Sequence, residues 1–139
     1  MSAAARFLLD TNILSHLIRN PQGIVADRIT RHGEGSVCTS IIVAGELRFG
    51  AEKSPSDKLR KRVGQVLALM DVLPFEAPAD RHYAGIRHHL ERQGTPIGPN
   101  DLLIAAHARS LDLTLVTANI DEFSRVPGLR VENWLAAGQ

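Results

Sequence analysis

Cysteine occurs once in the 139 residues, at Cys38, which excludes any intramolecular disulfide framework. Its setting in Val37-Cys38-Thr39 predicts a small apolar strand residue in a reducing compartment. No apolar run is long enough to span a bilayer, and Met1 to Phe7 carries one basic residue and no leader-like apolar segment. Neither a membrane association nor a signal peptide is therefore expected, and the cytoplasm is the expected location. Lysine is confined to Lys53, Lys58 and Lys61. Its absence beyond Lys61 excludes the phosphoacceptor domains that need a lysine after a late strand. The six histidines contain no His-x-x-x-His pair, and His88 and His89 point to different sides of a helix. Zinc is not expected, and His16 and His107 read as packing or surface residues. Repeats, low-complexity tracts and interdomain linkers are also missing.

What is present suits one domain over 1–139, with 44% hydrophobic residues and enough length to bury a core unaided. The net charge of +1 says little as a total. Its distribution says more. Lys58, Arg60, Lys61 and Arg62 form one basic run, and Arg81, Arg87, His88, His89 and Arg92 form another. A solvated helix face is the plainer reading of such runs. The sharper one is a footprint for an anionic polymer.

Strand and helix patterns alternate. The pattern predicts strands at Arg6–Leu9, Ser36–Thr39, Asp71–Phe75, Leu113–Thr117 and Leu129–Val131. Helices are expected at Ile13–Ile18, Ile24–Arg31, Ile41–Glu52 capped by Ser40, Asp57–Met70, Ala79–Gln93, and Asp101–Ser110 capped by Asn100, with a single turn at Ile120–Phe123. This alternation argues for an α/β fold: a short parallel sheet flanked by helices in three α/β/α layers. Ligands of such sheets bind beyond the C-terminal strand ends, near a reversal of strand order.

Four carboxylates fall at that edge. Asp10 follows the first strand, Glu46 lies mid-helix, Asp101 opens a helix, and Glu122 trails the strand ending at Thr117. Each has a plain explanation alone: Asp10 as a turn or cap residue, Asp101 as an N-terminal helix acid, Glu46 as an ion-pair partner or an exposed position. Glu46 is the most telling, because its helical neighbours Ile42, Val43, Phe49 and Gly50 offer no charge, and an ionised carboxylate on an apolar face is costly. Together the acids conflict. Two unit charges about 5 Å apart repel by about 3 kcal/mol at an effective dielectric near 20. Mg²⁺ or Mn²⁺, hard ions that prefer oxygen ligands, would remove the conflict.

Three segments carry a resemblance to a known family: FLLDTNIL near the start, SIIVAGELRFGAEKS, and GTPIGPNDLLIAAHARSLDLTLVTANIDEFSRVPGLRVENW at the end. The chain resembles the PIN-domain ribonucleases over nearly its whole length, and within them the VapC toxins of bacterial toxin–antitoxin pairs. The last segment is the most specific, with the GPxD helix, the VT-x-N strand end and the F-x-x-V-x-G-L turn in one order and spacing. The resemblance implies Mg²⁺-dependent endonucleolytic hydrolysis of RNA by an acidic quartet carried over to Asp10, Glu46, Asp101 and Glu122. Asp10 and Asp101 would bind the metal. Asn119 stands where some members have an acid, which leaves the fourth position open among Glu122, Asn119 and Asp121. Thr11, Asn12, Ser40, Thr117 and Asn119 would support the carboxylates or the phosphate, and Lys58, Lys61 and Arg62 would bind RNA. The implied partners are a cognate VapB-type antitoxin, a second copy in a homodimer, and operator DNA through the antitoxin complex only. The enteric members it most resembles cut initiator tRNA in its anticodon loop, which makes that RNA the expected substrate. A PIN domain acting mainly as a protein- or DNA-assembly module, and a DNA-directed nuclease, are the alternatives.

Overall fold

A run of three buried residues, Phe7–Leu9, forms the central strand β1 of a five-stranded parallel sheet ordered β3-β2-β1-β4-β5. The computed structural model describes residues 5–136. Residues 1–4, which bear on the leader expectation, lie outside that range. The other strands are β2 (Val37–Ser40), β3 (Asp71–Leu73), β4 (Thr114–Val116) and β5 (Val131–Glu132). Phe7 is in register with Val37 on one side and Thr114 on the other. The first half of the chain builds outward from β1 to β3, and the second returns to β4 and β5. Strand order therefore reverses between β1 and β4, where such sheets open a crevice.

The helices are α1 (Thr11–Arg19), α2 (Ile24–His32), α3 (Ile41–Glu52), α4 (Asp57–Leu67), α5 (Ala79–Arg92), α6 (Pro99–Ser110) and α7 (Ile120–Phe123), with a 3₁₀ turn at Glu34–Ser36. They flank the sheet in the expected α/β/α arrangement. Helix α1 packs on α2, α3 and α4, while α5 pairs with α6. Leu8, Leu9, Leu115 and Val116 are fully buried in the strands, sealed by Ile13 and Leu14 of α1 and by Ile104 of α6. Strands covered on both faces read as continuous apolar runs, as here. Cys38 lies in this interior, and burial pushes its thiol up to about 12. No helix among the described residues is long and apolar enough to cross a membrane.

Several boundaries shift from expectation, among them α1, which runs over Thr11–Arg19, and β3, which stops at Leu73; three further shifts have a local reason. Helix α6 starts at Pro99, not Asp101, with Gly98 as its N-cap and Leu102 N–H bonded to Gly98 O at 2.9 Å. Proline's fixed φ suits the first helical position, so the helix begins earlier and Asn100 is not its cap. Helix α4 ends at Leu67: Ala68 N–H makes the last α-helical bond, to Gly64 O, and Leu69 N–H closes the end with a tighter bond to Val66 O before the chain enters β3. The last strand is Val131–Glu132 rather than Leu129–Val131. Gly128, at φ 77°, turns the chain there, and pairing of Leu115 with Val131 sets the register.

Candidate functional site

Asp10 is placed by the end of β1 and the start of α1 together. Its own N–H is bonded to Val116 O of β4 at 2.9 Å, while its carboxylate accepts the Thr11 N–H at 2.8 Å and the Thr117 hydroxyl at 2.7 Å. It is thus a helix cap, as the plain reading had it, yet it also faces a cleft. Only 4% exposed, it is raised above the ordinary carboxylate range by burial. The Thr117 and Thr11 bonds oppose that shift, and the charges of Glu46 and Glu122 add to it.

Glu46 reaches the same cleft from the second turn of α3. The Thr11 hydroxyl donates to one of its oxygens at 2.5 Å and the Asn100 amide to the other at 3.3 Å. No arginine answers it among the described ion pairs, which are Arg60–Asp57, Arg87–Glu91 and Arg130–Asp112. Its place on an apolar helix is explained by these two neutral donors and by the cleft.

Asp101 enters from the first turn of α6 and is half-buried. Burial lifts its carboxyl to about 7, helped by a hydrogen bond to Glu122 and by the charges of Glu122, Asp10 and Glu46. Glu122 moves the opposite way. Burial works against its charge, but the Gly98 N–H, the Asn119 amide, Asp101 and the Arg125 charge outweigh it and hold Glu122 below its ordinary value. The pair is therefore asymmetric. Below about pH 7 the proton is favoured on Asp101 and the charge on Glu122.

Asp10, Glu46, Asp101 and Asn119 line one open cleft of about 460 Å³, whose remaining wall is the polar face of α1. Glu122 stands behind Asp101, and Asp121 is exposed. Of the three candidates for the fourth position, Asn119 faces the cleft, while Glu122 accepts from the Asn119 amide and from the Gly98 N–H. Asn12 ties the floor together, accepting the Ala118 N–H at 3.0 Å and donating weakly to Thr117 at 3.5 Å.

Ser40 does not join this site. Its hydroxyl accepts the Ile42 N–H at 3.0 Å, confirming it as the cap of α3, and pairs with His107 Nδ1 at 2.7 Å in the interior. The sequence placed Ser40 one residue past a strand end, where the acids gather, but its side chain points under α3 toward α6. His107 is accordingly a buried packing residue, lowered from its ordinary pKa by burial. Lys58, Lys61 and Arg62 are exposed on α4, outside the cleft walls. Arg60 of the same run is used internally, bonding Asp57, Ser54 O and Ala51 O. Sequence reasoning missed Asn100 as a donor, and Ser15 and Arg19 as cleft residues. Their spacing of four from Thr11 along α1 was a signal for the last two.

The donor set fits a hard divalent cation. It is all oxygen, and two of its carboxyls are raised by burial and mutual repulsion, which a cation would reverse. Among the described residues, no group of three or more His, Cys, Asp or Glu side chains is placed to hold a metal ion. An open site suits Mg²⁺, which keeps several waters and takes one or two carboxylates.

A model of the PIN domain matches residues 7–129. The chain is 45% identical over 131 residues to the tRNA(fMet)-specific endonuclease VapC of Shigella flexneri, spanning 93% of this chain and 98% of that protein. It is 38% identical to Ribonuclease VapC2 of Haemophilus influenzae, over 94% and 98% of the two chains. Among solved structures, it is similar to VapBC2 of Rickettsia felis bound to a promoter DNA fragment, with a TM-score of 0.87, 34% identity, and 92% and 98% coverage.

Proposed function

The chain belongs to the PIN-domain family, among its VapC ribonucleases, and from that premise we propose that it is a Mg²⁺-dependent endoribonuclease toxin that cuts initiator tRNA. One observation carries the reading: acids from three separate elements, Asp10, Glu46 and Asp101, share one cleft at the strand-order reversal, with Asp101 raised to about 7 by burial and by the other acids.

Asp10 and Asp101 hold the cation in this reading, with Mn²⁺ able to substitute. When bound, the ion makes water more acidic and stabilises negative charge on the scissile phosphate. The protein's own residues prepare for that. Thr11 and Thr117 fix Glu46 and Asp10 in orientation, so neither carboxylate must reorganise as the substrate arrives. Loss of the Asp101 proton creates the second charged ligand and ends its bond to the ionised Glu122, which frees the carboxylate to face the cation. Glu46 and Asn119 remain to orient water and the phosphate across the cleft. The partner of this reading is a VapB-type antitoxin, through which a homodimeric toxin would reach operator DNA.

The test is to incubate the antitoxin-free protein with total bacterial RNA and Mg²⁺ and to sequence the new ends. A dominant cut in the anticodon loop of initiator tRNA is expected, with DNA of the same sequence left intact. Comparable cleavage of the DNA would overturn the reading.

An acid-walled cleft repels RNA at a distance, so binding must draw on positive surface elsewhere. Reversing Lys58, Lys61 and Arg62 to Glu is expected to weaken tRNA binding in metal-free buffer. Each lost phosphate contact removes about 0.7 from the slope of log K against log salt, so the slope should flatten by roughly 2. Titrations at two salt concentrations check this. Superimposable curves for wild type and variant would make the run a solvated face.

A further inference from the structure

The cleft has one basic wall residue, Arg19. It ends α1, whose buried face is Ile13, Leu14, Leu17 and Ile18. Thr11, Ser15 and Arg19, four residues apart, form a polar stripe on the opposite side, and all three line the cleft. Thr11 is committed to Glu46. Arg19 is exposed and is absent from the three ion pairs of the described residues, although three acids share its cleft. Its Cα lies about 12 Å along the helix axis from that of Thr11. Helical side chains lean toward the N-terminus, so the guanidinium is carried back toward the carboxylates.

An RNA strand brings phosphates at regular intervals, and the carboxylate end of the cleft accepts only the one being cut. A neighbouring phosphate must lie along the wall, where the acids repel it and the other wall groups, Asn12, Ser15 and Asn119, are neutral. We infer that Arg19 binds the backbone phosphate next to the scissile one, setting which linkage reaches the carboxylates. This rests on the ribonuclease reading above. The planar guanidinium suits the task, because it can give two parallel hydrogen bonds to one phosphate. A second groove, between α1, α3 and α4, shares Thr11, Ser15, Arg19 and Glu46 with this cleft, so Arg19 stands where the two meet.

The experiment compares wild type and Arg19→Ala on a short tRNA-loop RNA and on versions with a single neutral methylphosphonate at each linkage flanking the cut. Melting temperature is followed alongside and should change little for an exposed side chain. Arg19→Ala is expected to lower kcat/KM at least tenfold, mainly through KM, with the Mg²⁺ concentration for half-activation unchanged. One flanking methylphosphonate should weaken the wild type by a similar factor and Arg19→Ala by less than twofold. Activity of Arg19→Ala within twofold of wild type overturns the inference. So does a loss that adds in full to that of every methylphosphonate, or one that follows a raised Mg²⁺ requirement. Failure of the wild type to cut any RNA strikes the ribonuclease reading itself, and the Arg19 assignment falls with it.

Discussion

Replacing Asp101 with Asn is expected to remove RNA cleavage while leaving the fold at least as stable as the wild type. The side chain enters from α6 into the cleft shared with Asp10 and Glu46, and those charges with Glu122 already disfavour its ionised form. Asn copies the shape of the protonated carboxyl and can still donate to Glu122, so the cation-free protein loses nothing it relies on. What disappears is the charge that would face a divalent ion and the developing charge of the phosphate. Loss of one such preorganised group typically costs on the order of 10²- to 10³-fold in rate. Asp10→Ala should cost as much in activity but also in stability. Asp10 caps α1 and accepts the Thr117 hydroxyl, and losing a charged cap costs about 1 kcal/mol. Cleavage assays and thermal melts on both variants check the contrast. Wild-type cleavage by Asp101→Asn would place the chemistry elsewhere.

The second large effect is on heat resistance, through pH and cation together. Asp101 titrates near 7 in the folded protein against an ordinary 3.8, and Asp10 is shifted in the same direction. Below about pH 4 both states hold these protons, and stability is unaffected. Between about 4 and 7 the unfolded chain releases the Asp101 proton while the folded chain retains it, so stability falls as pH rises and this contribution levels off above 7, with Asp10 acting in the same direction. Glu122 has the opposite sign, but its contribution is lost only as pH falls below its ordinary 4.5, under the pH 5 to 8 range compared next. In EDTA, the melting temperature should therefore decline from pH 5 to pH 8. Millimolar Mg²⁺ or Mn²⁺ should reverse the decline, raising the melt more at pH 8 than at pH 5. A cation at a hundredfold over its Kd stabilises by about 2.7 kcal/mol. For a domain of this length that is on the order of 10 °C. Equal melts with EDTA and Mg²⁺ at pH 8 would mean that the acids do not share a cation.

The chain's own order of residues determined the layers and the edge that carries the site. Apolar runs such as Phe7–Leu9, caps such as Ser40 and stops such as Gly94 act over a few residues, so they read directly from spacing. Once strands and helices alternate, parallel pairing brings their C-terminal ends to one side, and Asp10 and Asp101 arrive together with no further information. The tertiary structure decided what each polar atom there does. Thr11 and Glu46 are 35 residues apart, Asn100 and Glu46 are 54, Ser40 and His107 are 67, and Thr117 and Asp10 are 107. No local pattern encodes such pairs, because they depend on how α1, α3 and α6 settle on the sheet. That packing turned Ser40 away from the acids, gave Asn100 to Glu46 instead of to a helix end, and set Asn119 at the cleft with Glu122 behind Asp101. Short side chains at strand ends can bond in several directions, and only the closed core selects one.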